Sequence, residues 1–275
     1  MDQPWISFTT DYGLDDGFVA ACHGVIARLA PEARVIDVTH LVPPGDVTRG
    51  AHVLAQTVPS LPRGVHLAVV DPGVGTARRP IAIEAVDGGY LVGPDNGLLL
   101  PAAEALGGVR RAVHLTNATW FAPDVSRTFH GRDVFAPVAA RLAQGADLAA
   151  AGSATAALVR LPPPRLDHLA DGVAAEVLTV DRFGNLQLAV VVSSGLSSGL
   201  SSGLSSGLSV GLSSGRVTVG GHPALVGGTF GDAAPGDLVV FADSAGYLAV
   251  AVNGGSAAAL LDVRAGDVVT VRRAA

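Results

Sequence analysis

Three consecutive prolines, in 161-LPPPRLD-167, constrain this chain more than any other feature. Proline holds φ at about −65° and has no amide hydrogen, so the run cannot continue a helix or a central strand and forms an extended linker. The patterns on its two sides differ. Upstream, short β-rich runs alternate with helical periods, as in strands joined by crossover helices over a mostly parallel sheet. Downstream, 173-VAAEVLTV-180, 185-NLQLAVVV-192, 237-DLVVFA-242 and 247-YLAVAV-252 read as short strands between glycine turns, which predicts a small β-barrel or sandwich. The 275 residues, 49% hydrophobic, are enough for two cores. The expected organisation is an α/β domain over 1–165 and a smaller β-barrel-like domain over 166–275.

Within the first half, Trp5 to Thr9, Val35 to Val38 and 65-VHLAVV-70 are predicted strands. Phe18, Val19, Cys22, Val25, Ile26 and Leu29 mark one face of a helix, with Asp15 or Asp16 placed to cap it, and Asp46 caps a second helix through Leu54 and Val58. Asp11 and Asp71 thus stand at strand C-termini. In open α/β sheets ligands bind in the crevice outside those ends.

The composition removes several kinds of chemistry. All 18 cationic side chains are arginine, so no lysine Schiff base and no lysine-terminated phosphate loop can form. Cys22 is the single cysteine, which excludes an internal disulfide and a thiolate metal cluster; on an apolar helical face it reads as core. A net charge of −6 offers no basic surface for nucleic acid or anionic lipid. No run of roughly 18 apolar residues and no export pattern at Met1 is present, so a cytoplasmic protein is expected. The tetrapeptide repeat SSGL at 193–215 is too short per unit for a solenoid and reads as an expanded flexible loop.

Three loops carry the residue types that chemistry needs. In 9-TTDYGLDDG-17, Asp11 can accept both hydroxyls of a ribose, whereas a metal site would need more oxygen ligands than this loop supplies. In 71-DPGVGTARR-79 an acid faces two arginines across a tight glycine turn, although the spacing fits no nucleotide-binding glycine signature. In 127-RTFHGRDVFAPVAARLA-143, His130 precedes a glycine and Asp133 is placed to cap the helix that follows. The other seven histidines read as structural or exposed, with His40, beside 42-VPPGD-46, left open.

Taken together, TTDYGLDDGFVA, IDVTHLVPPGDVTRGA, VVDPGVGTARR, GPDNGLL, TFHGRDVFAP, VDRFGN and DSAGYLAVAVN, in this order, resemble the S-adenosyl-L-methionine hydroxide adenosyltransferases, hydrolase relatives of the fluorinase and chlorinase. All but the SSGL stretch is covered. The resemblance implies hydrolysis of S-adenosyl-L-methionine to adenosine and L-methionine with no cofactor and no metal, in a homotrimer with sites between subunits. It places an Asp-Arg-His set on Asp71, Arg78 and His130, and ribose binding on Asp11. Asp16 and Asp181 would lie near the methionine end, Asn185 on the adenine edge, Phe183 or Phe230 on the ring, with Ser244, Val252 and Asn253 completing the contacts. Two positions depart: Gly45 replaces a larger aromatic residue, and Ala245 stands where the fluorinase has arginine. The chemistry favours water over halide, because a base and a cation activate water, whereas the ionisable Asp71 and His130 would repel or hydrate an anion. The alternatives are a halogenase using chloride or fluoride, a metal-dependent hydrolase using Asp11, Asp15, Asp71 and His130, and a non-catalytic nucleoside-binding protein.

Overall fold

β1 (Trp5–Thr10) is buried without a break from Ile6 to Thr10, as a central strand covered on both faces must be. The computed structural model describes residues 4–192 and 215–274, so the SSGL stretch lies outside the described residues apart from Gly215. α1 (Phe18–Leu29) turns Cys22, Val25 and Ile26 inward. It leads to β2 (Arg34–Thr39), and α2 (Val47–Thr57) leads to β3 (Val65–Val69); both strands run parallel to β1, on opposite sides of it. Asp46 caps α2 as expected, its Oδ1 accepting from Arg49 N at 2.9 Å. α1 departs from expectation. Gly17 is its N-cap and no side chain caps it, so neither Asp15 nor Asp16 plays that part.

β4 (Pro80–Ala85) and β5 (Tyr90–Pro94) form a hairpin, followed by α3 (Leu100–Ala105), β6 (Val109–Leu115), α4 (Ala136–Ala143) and β7 (Gly152–Ala154). The strand order is β2-β1-β3-β5-β4-β6-β7. Its first four strands are mutually parallel, and β4, β6 and β7 add antiparallel pairings. Two cores lie on the two faces of this sheet. Val65, Leu67 and Val69 of β3 join Phe8, Ile26 and Phe135 on one, while Ala68 and Val70 join Leu54, Leu91 and Leu98 on the other. Period-two alternation makes this a three-layer α/β arrangement.

The second half begins with β8 (Leu166–Leu169), β9 (Gly172–Val180) and β10 (Leu186–Val191), and continues with β11 (Arg216–Val219), β12 (His222–Val226), β13 (Leu238–Ala242), β14 (Tyr247–Val252), α5 (Ala257–Leu261) and β15 (Val268–Arg273). The order β10-β14-β13-β12-β11-β15-β9 closes on itself through the β9 and β10 pairing, and β8 flanks β9. The result is a closed seven-stranded barrel filled by Val177, Leu188, Val219, Val240, Val250 and their neighbours. The chain therefore combines an α/β unit, Met1–Leu161, with a β-barrel unit, Pro162–Ala275. Among the described residues no helix is long and apolar enough to cross a membrane.

Candidate active site

Parallel pairing of β1 with β3 sets Thr10 opposite Val69, so the chain leaves the two strands side by side toward Asp11 and, two residues beyond β3, Asp71. Sequence position alone could not bring them together; the strand order does. Asp11 is anchored to the next loop, its Oδ2 accepting from Gly45 N at 2.8 Å. Gly45 has φ +73°, a conformation that a side chain disfavours, which accounts for glycine at this position.

The loop after β3 turns back on itself, with Val74 N donating to Asp71 O, and delivers Arg78 to Asp71 just before β4 begins. Arg78 grips the carboxylate at two points, Nε donating to Oδ1 at 3.0 Å and Nη2 to Oδ2. The same Nη2 lies 3.0 Å from His130 Nδ1. Asp71 and Arg78 side chains are each only 6% exposed, and the guanidinium also sits over the Phe135 ring at 5.3 Å. A buried charge pair of this kind is sustained by geometry and hydrogen bonds. Burial pushes the Asp71 carboxyl above its ordinary range, while Arg78 and then His130 pull it back. Burial and the Arg78 charge hold His130 below the usual histidine value, against the opposing pull of Asp71. Both effects, together with the Arg78 donor facing Nδ1, favour the neutral imidazole.

His130 is placed by an irregular helix start. Residues Gly131–Phe135 form a π-helical turn that runs directly into α4. Such turns recur at functional sites. Asp133, expected as a helix cap, is instead buried inside that turn, where it accepts from Ser126 N at 2.9 Å and pairs with Arg132. Gly131 is required sterically, because a Cβ there would lie 2.0 Å from Tyr12 Oη. Tyr12 packs edge-on against Phe129, whose ring also meets Phe18. Asp11, Tyr12, Gly45, Asp71, Thr128 and His130 are among the residues lining one cavity of about 190 Å3, and Arg78 stands behind its wall. That volume is below the roughly 300–1,000 Å3 typical of drug-sized ligand pockets. Asp16 is exposed in the loop before α1. Among the described residues, Asp11, Asp15, Asp71 and His130 do not bring three ligand atoms within 4.8 Å of one another, so the metal set expected as an alternative is not assembled.

The expected residues of the barrel fall into two groups. Asp181 organises the turn between β9 and β10, accepting from Phe183 N, Asn185 N and Asn185 Nδ2. Phe183 is 71% exposed. Leu186 pairs with Val250 across β10 and β14, which puts this turn at the end of the barrel where Val252 and Asn253 close β14. Asn253 Nδ2 donates to Ala233 O at 2.8 Å. Ser244 lies in the turn before β14, at the opposite end of that strand, and Phe230 stacks edge-on against Phe241 near the same end. Within the barrel, then, Phe183, Asn185, Val252 and Asn253 lie toward one end of β14, and Ser244 and Phe230 toward the other.

A three-layer α/β unit in which a buried acid and arginine meet a half-buried histidine beside the strand ends, followed by a closed β-barrel, defines a small-molecule enzyme of two-unit architecture. The family models match on both sides of the proline run: the SAM hydroxide adenosyltransferase N-terminal domain over residues 6–152 and the corresponding C-terminal domain over 175–270. The chain belongs to that family. A curated relative from Salinispora tropica, named (R)-S-adenosyl-L-methionine hydrolase, is 65% identical over 266 residues, covering 96% of each chain. A fluorinase from an Actinoplanes species is 30% identical over 304 residues, covering 99% of this chain and 98% of its own. Among solved structures, an uncharacterized conserved protein from Thermotoga maritima superposes with a TM-score of 0.84 at 36% identity, over 98% of this chain and all of that one.

Proposed function

We propose that the protein hydrolyses S-adenosyl-L-methionine to adenosine and L-methionine, and that Asp71, Arg78 and His130 activate the attacking water. The observation that carries the reading is the contact chain in which one guanidinium holds both the carboxylate and the imidazole. Water attacks C5′ in line, the C5′–S bond breaks, its electron pair stays on sulfur, and methionine leaves as a neutral thioether that needs no general acid. The water proton must go to a base.

Geometry favours Asp71 as that base. Neutral His130 accepts from Arg78 through Nδ1, which leaves Nε2 protonated and able only to donate. Asp71 spends one lone pair of each oxygen on Arg78 and keeps others for water, and burial raises its basicity. His130 Nε2–H orients the water oxygen. Arg78, behind the wall, keeps Asp71 ionised and lends positive potential to the developing hydroxide. A halide would meet a buried carboxylate in the same place, which opposes the halogenase alternative.

Asp11 holds the ribose hydroxyls, and Asp16 and Asp181 serve the methionine end. Phe183 or Phe230 with Asn185, Ser244, Val252 and Asn253 serve adenine and the amino acid. The division of the barrel residues between two ends suits a homotrimer in which different chains supply different walls, and the small cavity of the α/β unit fits the same reading. The enzyme works without a cofactor, in the cytoplasm. The R epimer is the expected substrate, a reading supported by the name (R)-S-adenosyl-L-methionine hydrolase that the 65% identical relative carries. Purified protein is incubated with each sulfur epimer of S-adenosyl-L-methionine and the products are separated by chromatography. Adenosine and methionine in equal amounts, faster from the R epimer, are expected. No adenosine from either would refute hydrolysis, and 5′-chloro- or 5′-fluoro-adenosine with added halide would make the protein a halogenase. Light scattering giving three times the chain mass checks the trimer.

A further inference from the structure

Away from the cavity, α1 and the end of β2 bring three side chains of metal-ligand type together. His23 Nε2 lies 2.9 Å from Asp37 Oδ1, and His40 Nε2 lies 3.0 Å from the same oxygen. The three donor atoms all fall within 4.8 Å of one another. From sequence His23 reads as structural or exposed and His40 is left open, and nothing in their spacing of 17 positions marks a pair.

His40 supplies the decisive observation. Its side chain is only 4% exposed, and Nε2 is buried with no hydrogen-bond partner among the described residues, since the approach to Asp37 is off the line that a hydrogen bond needs. A buried ring nitrogen left this way has a cost unless something else occupies its lone pair. The opposite nitrogen, Nδ1, is 2.9 Å from Thr10 Oγ1. When Nδ1 carries the proton, Nε2 presents its lone pair toward His23 and Asp37, the outer-shell arrangement that orients a metal-binding imidazole. Phe8 holds both rings, with centroids 4.9 Å from His40 and 5.8 Å from His23.

We propose that His23, Asp37 and His40 form a binding site for one first-row divalent cation of zinc type, with the remaining position taken by water. Two imidazoles and one carboxylate suit a borderline ion better than calcium or magnesium, which prefer all-oxygen shells. Ligands at about 2.0–2.2 Å from a tetrahedral ion stand about 3.4 Å apart, so a small outward rotation of Asp37 admits the ion. Asp37 is 43% exposed and His23 35%, which leaves both that freedom and an entry path. The ion would clamp α1 to the C-terminal end of β2. It would also steady the Asp11 loop, because Gly13 N donates to His40 O at 2.7 Å. This is a structural site, separate from the proposed hydrolysis.

Tag-free full-length protein, stripped with chelator and dialysed, is titrated with Zn(II) by calorimetry and with Co(II) by visible absorption. Saturable binding of one equivalent per chain, d–d bands of four-coordinate cobalt and a zinc-dependent rise in Tm are expected. His40 is buried, so His23→Ala and Asp37→Asn are the informative variants; each should weaken zinc binding at least tenfold and abolish the cobalt bands. Exposed His222→Ala should bind like the wild type. Absence of saturable binding overturns the proposal, and so does binding that survives unchanged in both His23→Ala and Asp37→Asn.

Discussion

Gly131→Ala tests whether the approach of Tyr12 to the helix start positions His130. The new Cβ would fall 2.0 Å from Tyr12 Oη, 3.1 Å from Cζ and 3.4 Å from Cε2. Ordinary contact requires about 3.5 Å, so one partner must move by about 1.5 Å. Tyr12 cannot retreat freely, because its ring is set between Phe18 and Phe129, with centroids 6.0 and 5.8 Å away. The π-helical turn yields instead, and it carries His130 with it. Overpacking of this kind costs about 1–3 kcal/mol of stability. A displacement of roughly 1 Å at a reacting group costs about a hundredfold in rate, or about 3 kcal/mol of barrier. Adenosine release followed by chromatography gives kcat, and a thermal melt gives Tm. Tyr12→Phe removes the atom at 2.0 Å and leaves the ring carbon at 3.1 Å as the nearest, so the double variant should regain most of both losses. A Gly131→Ala enzyme with wild-type kcat and Tm would refute the reasoning, as would strict additivity in the double variant.

Asp71→Asn and His130→Ala should each lower kcat far more than they alter KM, because their bonds to the attacking water strengthen in the transition state; steady-state kinetics with unchanged kcat in both would remove them from the mechanism. His66 is 3% exposed and bonded to Ser7 Oγ at 2.8 Å, and burial holds its pKa down to about 4. Its folded value lies below the unfolded 6.5, so the folded state resists protonation and stability falls as pH drops from about 6.5 to about 4. At about 1.4 kcal/mol per pH unit the loss is on the order of 3 kcal/mol, and His66→Gln should flatten that part of a denaturant-midpoint profile. Cys22 is fully buried and its thiol is pushed up to about 12. A colorimetric thiol reagent should therefore titrate it only after unfolding, and prompt reaction with the native protein would contradict the packing of α1.

Much of the architecture was legible in the sequence because its determinants are local. The alternation in 247-YLAVAV-252 became β14 with the same ends, the apolar face through Cys22, Val25 and Ile26 became the buried side of α1, and Asp46 caps α2. Prolines 162 to 164 mark where an α/β pattern gives way to a barrel. The residue types at positions 71, 78 and 130 pointed to acid, cation and base, but their meeting depends on parallel pairing of β1 with β3 and on a return loop ahead of β4. No periodicity encodes contacts 52 residues apart. For the same reason the antiparallel strands β4, β6 and β7, the burial of Asp133 in a π-helical turn, and the cluster of His23, Asp37 and His40 were not readable beforehand. Hydrophobic period and cap chemistry are properties of neighbours along the chain. Which strand ends become neighbours in space, and hence which charges share a buried site, is decided by how the sheet closes its core.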